Sequence, residues 1–112
     1  MKYYYELYMD KHIEKQKKKI QKNIENDKWQ LNVHLIALSK SKQNHLEIFH
    51  SVLLLQKGIA KDDLFIVGIA NGYEEALELV EKITQEVYDK TKGTDIRSYI
   101  LQRQQKYEEG NV

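Results

Sequence analysis

Residue types that do chemistry are present in this chain, but their spacing assembles few sites. Histidines stand at positions 12, 34, 45 and 50, and only His45 and His50 are expected on one element. Five residues rotate a helix by about 140° between side chains, so those two rings do not converge on one tetrahedral metal. Solvated or partly packed rings are the expectation for His12, His34, His45 and His50, with no metal and no cofactor. The chain has no cysteine, which removes disulfides, thiolate nucleophiles and Cys-ligated metals. Ser39, Ser41, Ser51 and Ser98 lack the glycine-flanked elbow that exposes a nucleophilic serine. Asp62-Asp63 and Glu74-Glu75 are adjacent in sequence, a pattern of solvated caps rather than of a general acid facing a base. No catalytic constellation is visible, and a non-enzymatic protein is expected.

Two polar groupings remain as candidate binding sites. In a parallel sheet, loops at the carboxyl ends of the strands form the ligand crevice, which would bring Lys40 and Lys42 beside Asn71, Gly72 and Tyr73. A small molecule or anion would meet lysines and a helix N-terminus there. Against an anion, Glu74 and Glu75 occupy the first turn of the following helix, and neither a P-loop nor a dinucleotide fingerprint is present. The second grouping is Lys15, Lys17, Lys18, Lys19 and Lys22, with Tyr3-Tyr4-Tyr5 upstream, which invites phosphate contact and base stacking. A solvated lysine-rich helix is the commoner origin of such a run, and no helix-turn-helix, RNP or zinc-finger signature accompanies it.

Periodicity predicts the elements that must position these residues. A basic helix is expected from about Leu7 to Asp27, its stripe of Met9, Ile13, Ile20 and Ile24 too narrow to hold it without a docking surface. Those four residues are therefore candidate interface residues, with Trp29 as an anchor where the chain enters the core. Leu31 to Leu38 predicts a strand. Asn44 and Glu47 have capping-box spacing ahead of a helix from about His45 to Lys57, stopped by Gly58. Leu64 to Ala70 predicts an interior strand, apolar on both faces. Asn71 and Glu74 repeat the capping spacing before a helix from about Tyr73 to Lys90, which Gly93 follows. Thr94 to Leu101 alternates as an edge strand would, and Gln102 to Val112 reads as a polar, frayed tail.

The expected architecture is a small α/β domain: an N-terminal helix, then β-α-β-α-β with a three-stranded, mostly parallel sheet. An α+β arrangement with the last strand antiparallel is the alternative. Residues 1–101 form the domain, 1–28 its basic amphipathic helix and 31–101 its core, and 102–112 the tail. A length of 112 residues suits one domain. With 41% hydrophobic and 31% charged residues there is material for a core, and no apolar run approaches the ~20 residues of a membrane span. Glu6 and Asp10 interrupt any signal-peptide core, so a cytoplasmic location is expected.

The net charge of +1 conceals two opposed blocks. Lys11 to Ile24 carries six lysines against Glu14, and Asp62 to Asp89 carries eight acids against Lys82. These blocks can attract each other within one chain or between two. A three-stranded sheet with two crossover helices on one face also leaves the other face short of cover. Both points favour a protein-interaction or structural accessory module acting as a homo-oligomer, most simply a homodimer, away from membranes. Nucleic-acid binding through the lysine run and small-molecule or anion binding at the strand ends are the alternatives.

Overall fold

The computed structural model describes residues 1–40 and 45–110. Its element order is β1 (Lys2–Tyr8), α1 (Lys11–Lys15), α2 (Lys17–Glu25), β2 (Val33–Leu38), β3 (Leu46–His50), β4 (Phe65–Asn71), α3 (Tyr73–Thr91) and α4 (Ile96–Glu108). Short 3₁₀ turns cover Ser51–Leu55 and Lys61–Asp63 between β3 and β4. The four strands form one sheet in the order β1-β4-β2-β3. Only β1 and β4 pair in parallel; β4 with β2 and β2 with β3 are antiparallel. The molecule is thus a small α+β domain with a four-stranded mixed sheet, not the three-stranded, mostly parallel α/β sheet expected.

Three elements differ from expectation, each for a physical reason. The N-terminal helix begins only at Lys11, because Asp10 caps it by accepting the Ile13 N–H at 2.8 Å. Before that cap, the tyrosine-rich Lys2–Tyr8 segment is a strand, as suits aromatic side chains on a pleated surface. Leu46–His50 is a strand rather than a helix: its non-local pairing with β2 runs in register from His34 opposite His50 to Leu38 opposite Leu46. The expected third strand is α4, capped by Asp95, whose carboxylate accepts both the N–H and the Oγ–H of Ser98. Those two bonds hold the Asp95 carboxyl below its usual pKa. Ile96 and Ile100 mislead because a spacing of four fits a strand face and a helix face alike. The helix continues to Glu108, burying Ile96, Ile100 and Gln104 along one side, so 102–108 is not a frayed tail.

Helices cover both faces of the sheet. On one side Ile36, Leu38 and Val67 meet Ala76, Leu79, Ile83 and Val87 of α3 and Ile96 and Ile100 of α4. On the other, Leu35, Ala37, Ile66 and Ile69 meet Ile13, Ile20 and Ile24 of α1 and α2, with Leu54. Burial of this apolar surface is the main stabilising term. The α2 helix ends in a Schellman motif, in which the Lys28 N–H reaches the Asn23 carbonyl at 2.8 Å, the Asp27 N–H reaches Ile24, and Asp27 takes φ 55°.

Tyr3 is the discordant side chain of the second core, since its hydroxyl is buried with no hydrogen-bond partner among the described residues. Burial, and secondarily the charge of Glu25, push its pKa up to about 12. Tyr3→Phe removes an uncompensated polar atom, and a gain of about 1 kcal/mol is expected. That gain corresponds to about 4 °C in Tm for a chain of this size. Because the folded pKa is raised, the contribution of Tyr3 to stability is intact below pH 10 and is lost as pH rises toward 12. Thermal melts at neutral and alkaline pH check both points: Tyr3→Phe melts higher and loses less in alkali, and a lower neutral Tm would show the hydroxyl to be satisfied.

Candidate functional site

The expected crevice at the strand ends does not form, because β2 runs antiparallel to β4. Lys40, just beyond β2, lies at the opposite end of the sheet from Asn71 and pairs with Asp63 at 3.3 Å. Lys42 lies outside the described residues, as does Asn44 of the expected first capping pair. Glu47, its intended partner, instead accepts the Ser39 hydroxyl at 2.9 Å. At the other end, Gly72 is the N-cap of α3 with φ 98°, and its N–H donates to the Asn32 carbonyl at 2.7 Å. The Asn71 N–H is taken by Glu75 rather than Glu74, at 3.1 Å. Tyr73 is exposed, its ring 6.1 Å from His34.

Beside this turn lies a hollow of about 230 Å³, lined by Met9, Asp10, Glu75, Glu78, Leu79 and Lys82. Partial burial and the adjoining Asp10 carboxylate push the pKa of Glu75 up, against the pull of the Asn71 N–H. Three carboxylates to one lysine make it hostile to anions. No group of three His, Asp or Glu side chains among the described residues is placed to hold a metal.

His34 and His50, which sequence spacing kept apart, face each other across β2 and β3 with ring centroids 4.9 Å apart. The Nδ1 of His50 accepts the Val52 N–H at 2.9 Å, so the ring hydrogen sits on Nε2, which donates to the Leu31 carbonyl at 2.6 Å. This ring caps the 3₁₀ turn that follows β3. Its signal was unreadable without the strand pairing.

The two sheet edges are treated differently. Along β1, α4 closes the edge: the Tyr5 N–H donates to Gln104 Oε1 at 2.8 Å, and the buried Gln104 passes a hydrogen bond to Glu108. Lys2 pairs with Glu108 and holds its carboxyl below the usual range. Arg103 donates to Tyr4 and Glu6, both at 2.9 Å, and Tyr107 stacks on Tyr5 at 4.4 Å. A strand arriving at β1 would have to displace these side chains.

Among the described residues nothing comparable covers β3. Ser39 donates its N–H to the His45 carbonyl, which sets the alternation of the antiparallel pair. Glu47 and Phe49 therefore turn their backbone groups toward β2, whereas Leu46 and Ile48 turn theirs outward, with no partner among the described residues. Alongside runs an apolar groove of about 470 Å³, lined by Leu46, Glu47, Ile48, Phe49, Leu53, Ile59 and Leu64. Leu53 and Ile59 are 39% and 41% exposed, high for such side chains beside an open strand edge.

The remaining candidate residues fall on the second face. Ile13, Ile20 and Ile24 are buried under the chain's own sheet, and Met9 packs at the margin of the same cluster. The stripe read as a candidate interface is thus covered in cis. Lys15, Lys18, Lys19 and Lys22 point to solvent, and Lys17 is partly buried. Trp29 is not a core anchor: it is 60% exposed. No helix among the described residues is long and apolar enough to cross a membrane.

Comparison of the chain with protein-family models, with curated proteins and with solved structures finds no match.

Proposed function

We propose that this chain is a non-enzymatic interaction module that pairs with a second copy of itself through β3. The observation that carries this reading is the contrast between the sheet edges: β1 is plugged by Gln104, Arg103 and Tyr107, and β3, among the described residues, is bare beside an apolar groove. A chain with one open edge associates edge to edge only isologously, because a head-to-tail contact would need β1 as well. Antiparallel pairing of β3 with its copy about Ile48 sets Ile48 opposite itself, Leu46 opposite the partner's His50, and Glu47 opposite the partner's Phe49. Such pairing satisfies the outward backbone groups, joins two four-stranded sheets into one, and brings the Leu53 and Ile59 surfaces together.

Light scattering across micromolar concentrations tests the proposal. The wild type should show twice the 13.3 kDa chain mass. Ile48→Pro removes an outward N–H without breaking an internal ladder bond, and Leu53→Asp charges the groove at an exposed site. Both variants should run as monomers with unchanged far-UV circular dichroism. A monomeric wild type, or a dimer untouched by Leu53→Asp, overturns the reading.

A further inference from the structure

The outer face of α1 and α2 breaks the rules that govern helix charge. Lys11 and Lys15 in α1, and Lys18 and Lys22 in α2, are like charges four residues apart, an arrangement that destabilises a helix. Lys17, Lys18 and Lys19 occupy the first turn of α2, where the macrodipole disfavours cations, and no acid shares that turn. Elsewhere Lys2, Lys40, Lys61 and Arg103 each pair with a carboxylate. No ion pair forms at Lys11, Lys15, Lys18, Lys19 or Lys22 among the described residues. Lys18 and Lys22 project about 160° from the buried Ile20, directly away from the sheet.

Most of the acidic partner block lies away from this face, although Glu75 adjoins Asp10, the N-cap of α1. Glu74, Glu75, Glu78, Glu81 and Glu86 belong to α3, which packs on the opposite side of the sheet. The acids of α3 and the lysines of α1 and α2 are therefore largely on opposite faces of the sheet, with Glu14 and Glu25 interspersed among the lysines. Just beyond the Schellman turn that ends α2, Trp29 and Leu31 are 60% and 64% exposed. An indole presented at the end of a lysine row supplies a stacking platform beside phosphate contacts. Locally unfavourable features that coincide on one surface are expected where that surface serves a ligand rather than the fold.

We propose that this face binds single-stranded nucleic acid, with Lys11, Lys15, Lys18, Lys19 and Lys22 along the phosphates and Trp29 stacking on a base. The lysines lie on α1 and α2 rather than along the β3 edge, so phosphate contact does not depend on dimer formation. Fluorescence anisotropy with labelled oligo(dT) and oligo(U), a duplex, and phosphatidylserine vesicles tests it on the full chain. Binding to a single strand at low salt is expected, with log K falling against log salt at a slope of about −3.5, as five phosphate contacts on single strands require. The double variant Lys18→Glu, Lys22→Glu should lose at least about tenfold in affinity and flatten the slope, with its circular dichroism unchanged. Trp29→Ala should lose about tenfold on single strands and keep the slope, because stacking releases no counterions. Absence of binding at low salt, tighter binding to duplex or to vesicles than to single strands, or indifference to the lysine reversals overturns the proposal.

Discussion

Gly68→Val is expected to leave most of the chain unfolded at ambient temperature, and Gly68→Ala to cost about 1–3 kcal/mol. Gly68 lies midway along β4, opposite Ile36 of β2 on one side and Tyr8 of β1 on the other. The β1 pairing jumps here: Tyr3 stands opposite Ile66 and Tyr8 opposite Gly68, so five steps along β1 match two along β4. That irregularity brings the Tyr8 carbonyl down onto β4. A Cβ built at Gly68 would lie 3.1 Å from the Tyr8 carbonyl oxygen and 3.1 Å from Ile36 Cδ1. Ile36 is fully buried and the carbonyl is backbone, so neither neighbour yields cheaply. Alanine forces a few tenths of an ångström of movement. Valine adds two methyl groups to the same gap, in a fold whose whole stability is of the order of 5–15 kcal/mol. Urea titration should show a lower midpoint for alanine at unchanged slope and no cooperative transition for valine; an alanine variant as stable as the wild type would show the strands to be further apart.

The second large effect is expected at Glu86. One oxygen of its carboxylate accepts the hydroxyls of Tyr8 and Tyr99, each at 2.7 Å, and so ties β1 and α4 to α3. Hydrogen bonds to a charged acceptor are the stronger kind, and Glu86→Ala removes two together. Both phenols are partly accessible and regain water in part, which leaves an expected loss of about 2–3 kcal/mol. The corresponding drop in Tm is about 8–12 °C. Glu86→Gln keeps an acceptor oxygen and should lose less than half as much.

The same contact governs behaviour in alkali. Burial, then the hydrogen bonds and charge of Glu86, raise the pKa of Tyr8 and Tyr99 well above the ordinary tyrosine value of 10. A raised folded-state pKa means this stability is complete below pH 10 and is lost as the pH climbs past it. In Glu86→Ala the part of the shift due to the carboxylate is gone, so tyrosinate absorbance should develop at lower pH than in the wild type. An unchanged titration together with an unchanged Tm would show that these three side chains do not meet.

The sequence was most legible where local rules and burial agree. Val33–Leu38 and Phe65–Asn71 were readable as strands because short, largely apolar runs rich in β-branched residues and bounded by polar turns favour a strand over a helix. Tyr73–Thr91 was readable because its apolar positions recur at helical spacing over 19 residues. Shorter segments were ambiguous. Leu46, Phe49, Val52 and Leu53 satisfy a helix pattern as well as they satisfy β3 and its 3₁₀ turn. Ile96 and Ile100 satisfy a strand as well as α4, where the Asp95 cap decides.

By itself the sequence determined the presence of an α and β core, the absence of cysteine chemistry and the opposed charge blocks. Tertiary structure alone decided that β2 runs antiparallel to β4, which carries Lys40 away from Asn71. It also decided that the isoleucine stripe of α1 and α2 is used up in cis, that α4 closes β1, and that no described residue closes β3. The physical reason is that strand order and direction rest on hydrogen bonds between residues distant in sequence. Local periodicity records which face of a segment is buried, but carries no record of the strand that lies beside it.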